Sequence, residues 1–84
     1  MEKFETLFQS ILTCFDHIII TADDAVNNLE LYRDAFYDAV ENGESPRAGD
    51  GYIYSTTLGG NLNSLKRNID DAIKHYNALQ RKIV

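Results

Sequence analysis

Two runs of apolar residues spaced alternately four and three apart, with a polar interval between them, constrain this chain more than any other feature. In the first run Phe4, Phe8, Ile11, Phe15, Ile18, Ala22, Ala25, Leu29, Tyr32, Phe36 and Ala39 keep the rhythm unbroken. The second run comprises Leu62, Leu65, Ile69, Ala72, Tyr76, Leu79 and Ile83. Such spacing gathers side chains on one face of an α-helix and marks helices that pack along their length. The expectation is an all-α fold: a long helix over about residues 2–42, a loop, and a second, antiparallel helix over about 61–83. At about 1.5 Å per residue the first helix would run roughly 60 Å and the second about 33 Å, so the shorter covers only the adjoining part of the longer, roughly Ala22 to Val40.

That inequality implies self-association. Phe4, Leu7, Phe8, Ile11, Leu12, Phe15, Ile18 and Ile19, followed by Ile20, would have no cover from their own chain. Burying one large apolar side chain stabilises by about 1.5–3 kcal/mol, so leaving several in water forfeits on the order of 10 kcal/mol, comparable with the stability of a small domain. Leu7, Leu12 and Ile19 also broaden the stripe, which favours several helices around it. A homodimer with a four-helix core is the simplest closed solution, followed by a higher symmetric oligomer. Two alternatives stand beside it. Thr21-Ala-Asp-Asp24 has the form of a capping box, so the helix could break near Thr21 and make a three-helix bundle. The apolar face could instead receive another protein.

The 84 residues suffice for a single domain over 1–84, in the size range where a core is marginal. Cys14 is the sole cysteine, which excludes a disulfide within the chain and suits a small buried hydrophobe in a reducing cytoplasm. The opening Met1-Glu-Lys-Phe-Glu has no basic leader, and no stretch reaches the roughly 18 apolar residues of a membrane span, so a cytoplasmic protein without a membrane partner is expected. The net charge of −5 is unevenly placed: residues 1–44 hold ten acids and two bases, residues 45–84 three acids and six bases. In an antiparallel pair, Asp23, Asp24, Glu30, Asp34, Asp38 and Glu41 are expected beside Lys66, Arg67, Lys74, Arg81 and Lys82, each exposed pair contributing about 0.2–1 kcal/mol. Direct nucleic-acid binding, which needs clustered bases, is disfavoured.

The interval between the runs carries its own signals. Gly43 suits a left-handed residue just past a helix end, and Ser45-Pro46 opposes immediate renewal of helix. Tyr52-Ile-Tyr-Ser-Thr-Thr57 is β-branched and aromatic, as a short strand over 52–57 should be, although it has no evident partner. Asn61, after Gly59-Gly60, is a good helix N-cap, and Arg81-Lys82 suit a helix C-terminus.

No residue set identifies a reaction, and neither a cofactor nor a metal is expected. His17 and Cys14 are three apart and lack the further ligands a zinc site requires, as well as the third group a nucleophilic triad requires. Asp23-Asp24, Asp34 with Asp38, and Asp70-Asp71 are ordinary solvated carboxylates on helices. Arg47, Tyr52, Tyr54, Thr56, Thr57, Gly59, Gly60 and Asn61, with Ser55, bring a cation, rings and hydroxyls to the expected start of the second helix, where backbone N–H groups could hold an anion. The expected function is therefore non-enzymatic: a small acidic helical oligomer whose carboxylate face, Asp23, Asp24, Glu30, Asp34 and Asp38, binds a basic surface on another macromolecule and blocks or bridges it, as phage or mobile-element inhibitors of host defence do. The alternative is an oligomeric sponge for a small anionic ligand such as a nucleotide signal, held by the 45–61 loops. A further alternative is a structural or secreted helical hairpin.

Overall fold

The computed structural model describes residues 2–83. Met1 and Val84, the outermost residues of the single domain expected over 1–84, lie outside the described residues. Two helices, α1 (Glu2–Glu41) and α2 (Gly49–Ile83), run antiparallel in a hairpin whose backbone extends 62 × 15 × 13 Å. The all-α hairpin read from the sequence is thus present. The first helix has the bounds expected of it and passes through Thr21 without a break, so no third helix forms among the described residues.

The turn follows from its residues. Gly43 takes a φ of 69°, which costs a residue without a Cβ little. Its N–H donates to the Val40 carbonyl at 3.2 Å, and the Glu44 N–H donates to the Ala39 carbonyl at 2.8 Å. This double closure satisfies carbonyls that the end of a helix would otherwise leave unpaired. The Ser45 hydroxyl then accepts from the Arg47 N–H at 3.3 Å, and the chain re-enters helix at Gly49. Arg81 and Lys82 occupy the last turn of α2, where cations suit the helix dipole.

Two expectations are corrected. Residues 52–57 are helical, not a strand, and the second helix begins at Gly49, twelve residues before Asn61, which sits mid-helix and caps nothing. The physical reason is that β-propensity spans only about 1 kcal/mol and is set largely by a strand's neighbours. A lone strand would leave its backbone unpaired, whereas helix satisfies every N–H internally and turns Gly51, Tyr54 and Leu58 toward α1. With 40 and 35 residues, the helices are nearly equal in length. The premise that α2 leaves the amino-terminal half of α1 bare therefore fails: Ile69, Ala72, Ile73 and Tyr76 share a groove with Ile11, Phe15 and Ile18.

The seam between the helices has a definite register. On α1 it comprises Phe4, Leu7, Ile11, Cys14, Ile18, Thr21, Ala25, Asn28, Tyr32, Ala35 and Ala39, all buried or half-buried. On α2 it comprises Gly51, Tyr54, Leu58, Asn61, Leu65, Asn68, Ala72, His75 and Leu79. Cys14 is buried, as its place beside the stripe implied. Polar pairs pin the register within this seam. Asn28 Nδ2 donates to Asn61 Oδ1 at 2.7 Å, and Asn68 Nδ2 donates to Thr21 Oγ1 at 3.3 Å. Sliding one helix along the other would break both bonds, the role that a lone polar residue plays in a coiled-coil core. At the closed end Gly51 is buried, and a Cβ there would stand 2.6 Å from the Pro46 carbonyl oxygen, so only glycine fits.

Candidate functional site

The seam leaves uncovered the largest apolar residues of α1. Phe8, Leu12, Phe15, Ile19, Val26, Leu29, Phe36 and Val40 are all exposed, Phe8 at 54%, Ile19 at 58% and Leu29 at 52%. With Ala22 and Arg33 in the two intervening places, they keep a four-and-three rhythm of their own from residue 8 to residue 40. They form a second stripe beside the seam. On α2 the corresponding line is Tyr52, Ser55, Gly59, Leu62, Lys66, Ile69, Ile73, Tyr76, Gln80 and Ile83, of which Tyr52, Leu62, Ile69, Ile73, Tyr76 and Ile83 are exposed large apolar residues.

Both stripes lie on the same side of the hairpin. Phe15 on one and Ile69, Ile73 and Tyr76 on the other form the walls of a groove floored by Ile11, Ile18 and Ala72. Toward the turn, Tyr32 and Phe36 meet edge to face with ring centres 6.1 Å apart, carrying the apolar surface onward. The result is an apolar face along the molecule, crossed by Arg33 on α1 and by Lys66 and Gln80 on α2. Contiguous patches of more than a few hundred Å² are rare on free monomers and mark sites of association.

The residues expected at an oligomer interface divide between the two stripes. Phe4, Leu7, Ile11 and Ile18 are half-buried in the seam with α2, whereas Phe8, Leu12, Phe15 and Ile19 are exposed on the outer face. The continuation of that face through Val26, Leu29, Phe36 and Val40 and onto Ile69, Ile73 and Tyr76 lay beyond the expected interface. A second rhythm starting one place after Leu7 is its signal in the sequence, since every seam position of α1 from residue 7 to residue 39 has a neighbour on the outer stripe.

Charged residues are distributed otherwise than expected. Asp23 and Glu30 border the outer stripe, Asp24 and Asp38 lie on the opposite side, and Asp34 stands between them; all are exposed. Arg67, Lys74 and Arg81 recur every seven residues on α2, on a line turned away from α1. Consequently the interhelical ion pairs expected from the antiparallel arrangement do not form. Among the described residues the ion pair within 4 Å is Arg33–Asp34, neighbours on α1, at 3.1 Å and well exposed.

The residues of the alternative ligand site are partly gathered. Arg47, Tyr52, Ser55 and Thr56 line a hollow at the closed end together with Tyr32, Pro46 and Gly51. Tyr54 lines a different hollow, with Asp34 and Asp38. Thr57 donates its hydroxyl proton to the Ile53 carbonyl at 2.9 Å, and Asn61 is bonded to Asn28. Gly59 and Gly60 stand within α2, so their N–H groups belong to the helical ladder rather than to a free helix start. The anion cradle expected there is therefore not formed. Among the described residues no group of three or more His, Cys, Asp or Glu side chains is close enough to hold a metal ion, and no helix is long and apolar enough to cross a membrane.

The chain matches no protein-family model, no curated protein and no solved structure.

Proposed function

We propose that this protein acts by association, as a non-enzymatic helical module that docks through its outer apolar face and displays carboxylates to a macromolecular partner. One observation carries the reading: a line of large apolar side chains from Phe8 to Val40, interrupted at Ala22 and Arg33, stands exposed beside a seam that already satisfies the hairpin. A helix face that is apolar beyond its intrachain seam needs a helical partner, as in multi-helix bundles. Once that face is covered, Asp24, Asp34 and Asp38 stay outside, on the side turned from the groove, where they would steer the assembly toward a basic surface.

The test uses the full chain with Leu12, Ile19 and Val26 replaced by Glu, all three being more than half exposed in the hairpin. Helix content by circular dichroism should persist, because these positions lie outside the seam. Native mass by analytical ultracentrifugation, in buffer and in an extract of the source cells, should fall from an associated species to the monomer. A wild-type chain that is monomeric in both media would overturn the reading.

A second reading rests on the hollow formed by Tyr32, Arg47, Tyr52 and Thr56. A guanidinium and two phenol rings lining one hollow suit a small phosphorylated aromatic ligand. Equilibrium dialysis against a nucleotide mixture tests it, with Arg47→Ala expected to abolish retention.

A further inference from the structure

We propose that the outer apolar face is covered by a second copy of this chain, related by a two-fold axis running along the helices, so that α1 of each copy lies on α2 of the other in a four-helix bundle. The proposal rests on the reading above that this face is a docking surface, and it adds the identity of the occupant and its orientation.

Extent comes first. A face 62 Å long and 15 Å wide offers on the order of 900 Å² per copy, against the roughly 800 Å² that each partner contributes to a stable interface. Because the stripes on both helices run nearly the full length, two such faces cover each other end to end.

Charge decides the orientation. A closed pair of identical faces needs its two-fold axis in the plane between them, either across the helices or along them. An axis across the helices stacks α1 on α1 and brings the line Asp16, Asp23 and Glu30, which borders the stripe, against its own copy. Like charges so placed disfavour the pairing. An axis along the helices instead stacks the acid-rich α1 on the base-rich α2 of the other copy. Lys66, the base on the outer stripe of α2, then faces the acidic line of the other copy's α1.

Register follows without adjustment, since a two-fold axis along the helices permits no sliding. The Thr21–Asn68 bond sets these residues level within one hairpin. Two residues further along α1 and two back along α2, Asp23 is therefore level with Lys66, which sits on the outer stripe of α2. The axis carries the second copy's Lys66 to the edge where Asp23 stands. Within one hairpin Asp23 and Lys66 diverge on opposite flanks, and they pair only between copies.

The experiment measures the dimerisation constant of the full chain by sedimentation, with circular dichroism to show that each variant stays helical. The wild type should be a dimer at micromolar concentration. Asp23→Lys and Lys66→Asp should each weaken it about tenfold, and the double exchange should restore most of the loss, since a swapped pair regains what each single change removes. In a Cys14→Ala background, oxidation of Asp23→Cys with Lys66→Cys should give a covalent dimer, and neither single cysteine should. A covalent dimer from Asp23→Cys alone, or no rescue by the double exchange, would overturn this orientation while leaving the docking face in place. A chain that is monomeric in buffer yet bound to a different protein in cell extract would overturn the second copy as occupant. A chain monomeric in both would overturn the docking reading as well.

Discussion

The two stripes of α1 share one rhythm and differ in the size of their side chains. Its inner seam sets Cys14, Thr21, Ala25, Asn28, Ala35 and Ala39 among Phe4, Leu7, Ile11, Ile18 and Tyr32, whereas the outer stripe is mostly bulky, with Phe8, Leu12, Phe15, Ile19, Leu29 and Phe36. Small residues let α2 approach closely and let two amide side chains bond across the seam at 2.7 Å. Bulky residues in those places would hold the helices apart and break that bond. The strongest hydrophobic stripe of a helix is therefore not necessarily the one its own chain covers. Here the fold uses the face that fits and leaves the more apolar face for an external partner.

The sharpest way to break the comparison is to place a carboxylate on each stripe. Ala25→Asp buries an unpaired charge in the seam and should cost about 3–5 kcal/mol, enough to unfold a hairpin of this size, as loss of the helical circular dichroism signal would show. Leu29→Asp, one helical turn away on the outer stripe, should leave that signal intact and lower the native mass instead. If both variants unfold alike, the two faces are not distinct.

Next in size is the closed end. Gly51→Ala sets a Cβ against the Pro46 carbonyl and should cost about 1–3 kcal/mol in thermal or urea unfolding, as overpacking does in cores. An unchanged midpoint would mean that the turn relaxes freely.

The polar pair in the seam sharpens the comparison further. Asn28→Leu leaves the Asn61 amide without its partner and should cost about 1–2 kcal/mol, whereas Asn28→Leu with Asn61→Leu should recover most of it while loosening the register. A double-mutant cycle measured by urea unfolding gives the coupling between the two amides, and a coupling near zero would remove this bond from the account of the register.

The smallest expected effect has the opposite sign. Gly59 and Gly60 lie in the interior of α2, and a Cβ at either meets nothing within 4 Å. Ala at each position should stabilise the hairpin by about 1 kcal/mol in thermal unfolding. At Gly59, on the outer stripe, the same change should also test how closely a covering helix approaches, because native mass responds only if that backbone is in contact.

Much of the fold was legible in the sequence because periodicity reports burial directly. The unbroken rhythm through Thr21 gave a continuous α1, and Gly43 marked its end. Tyr52 to Thr57 misled, because strand preference is a local bias worth little beside the backbone pairing that helix supplies and the seam that Gly51, Tyr54 and Leu58 complete. The phase of the stripe misled in a more instructive way. Hydrophobicity pairs Leu29 and Phe36 with the second helix, while Asn28 and Ala35, one residue earlier in each case, hold the places that face α2. The acids of the candidate partner-binding face are exposed, but their distribution over several sides of α1 follows from the helical twist relative to the seam, which charge counts do not contain.

By itself the sequence determined that the chain forms two amphipathic helices and where the first one ends, since these depend on residue spacing and on the conformational limits of Gly and Pro. Only the tertiary structure decided where α2 begins, which of two adjacent stripes lines the seam, and that the acids and bases turn away from one another. Those outcomes depend on how closely two particular helices can approach and at what register, and that distance is set by side-chain volumes and hydrogen bonds meeting across the seam.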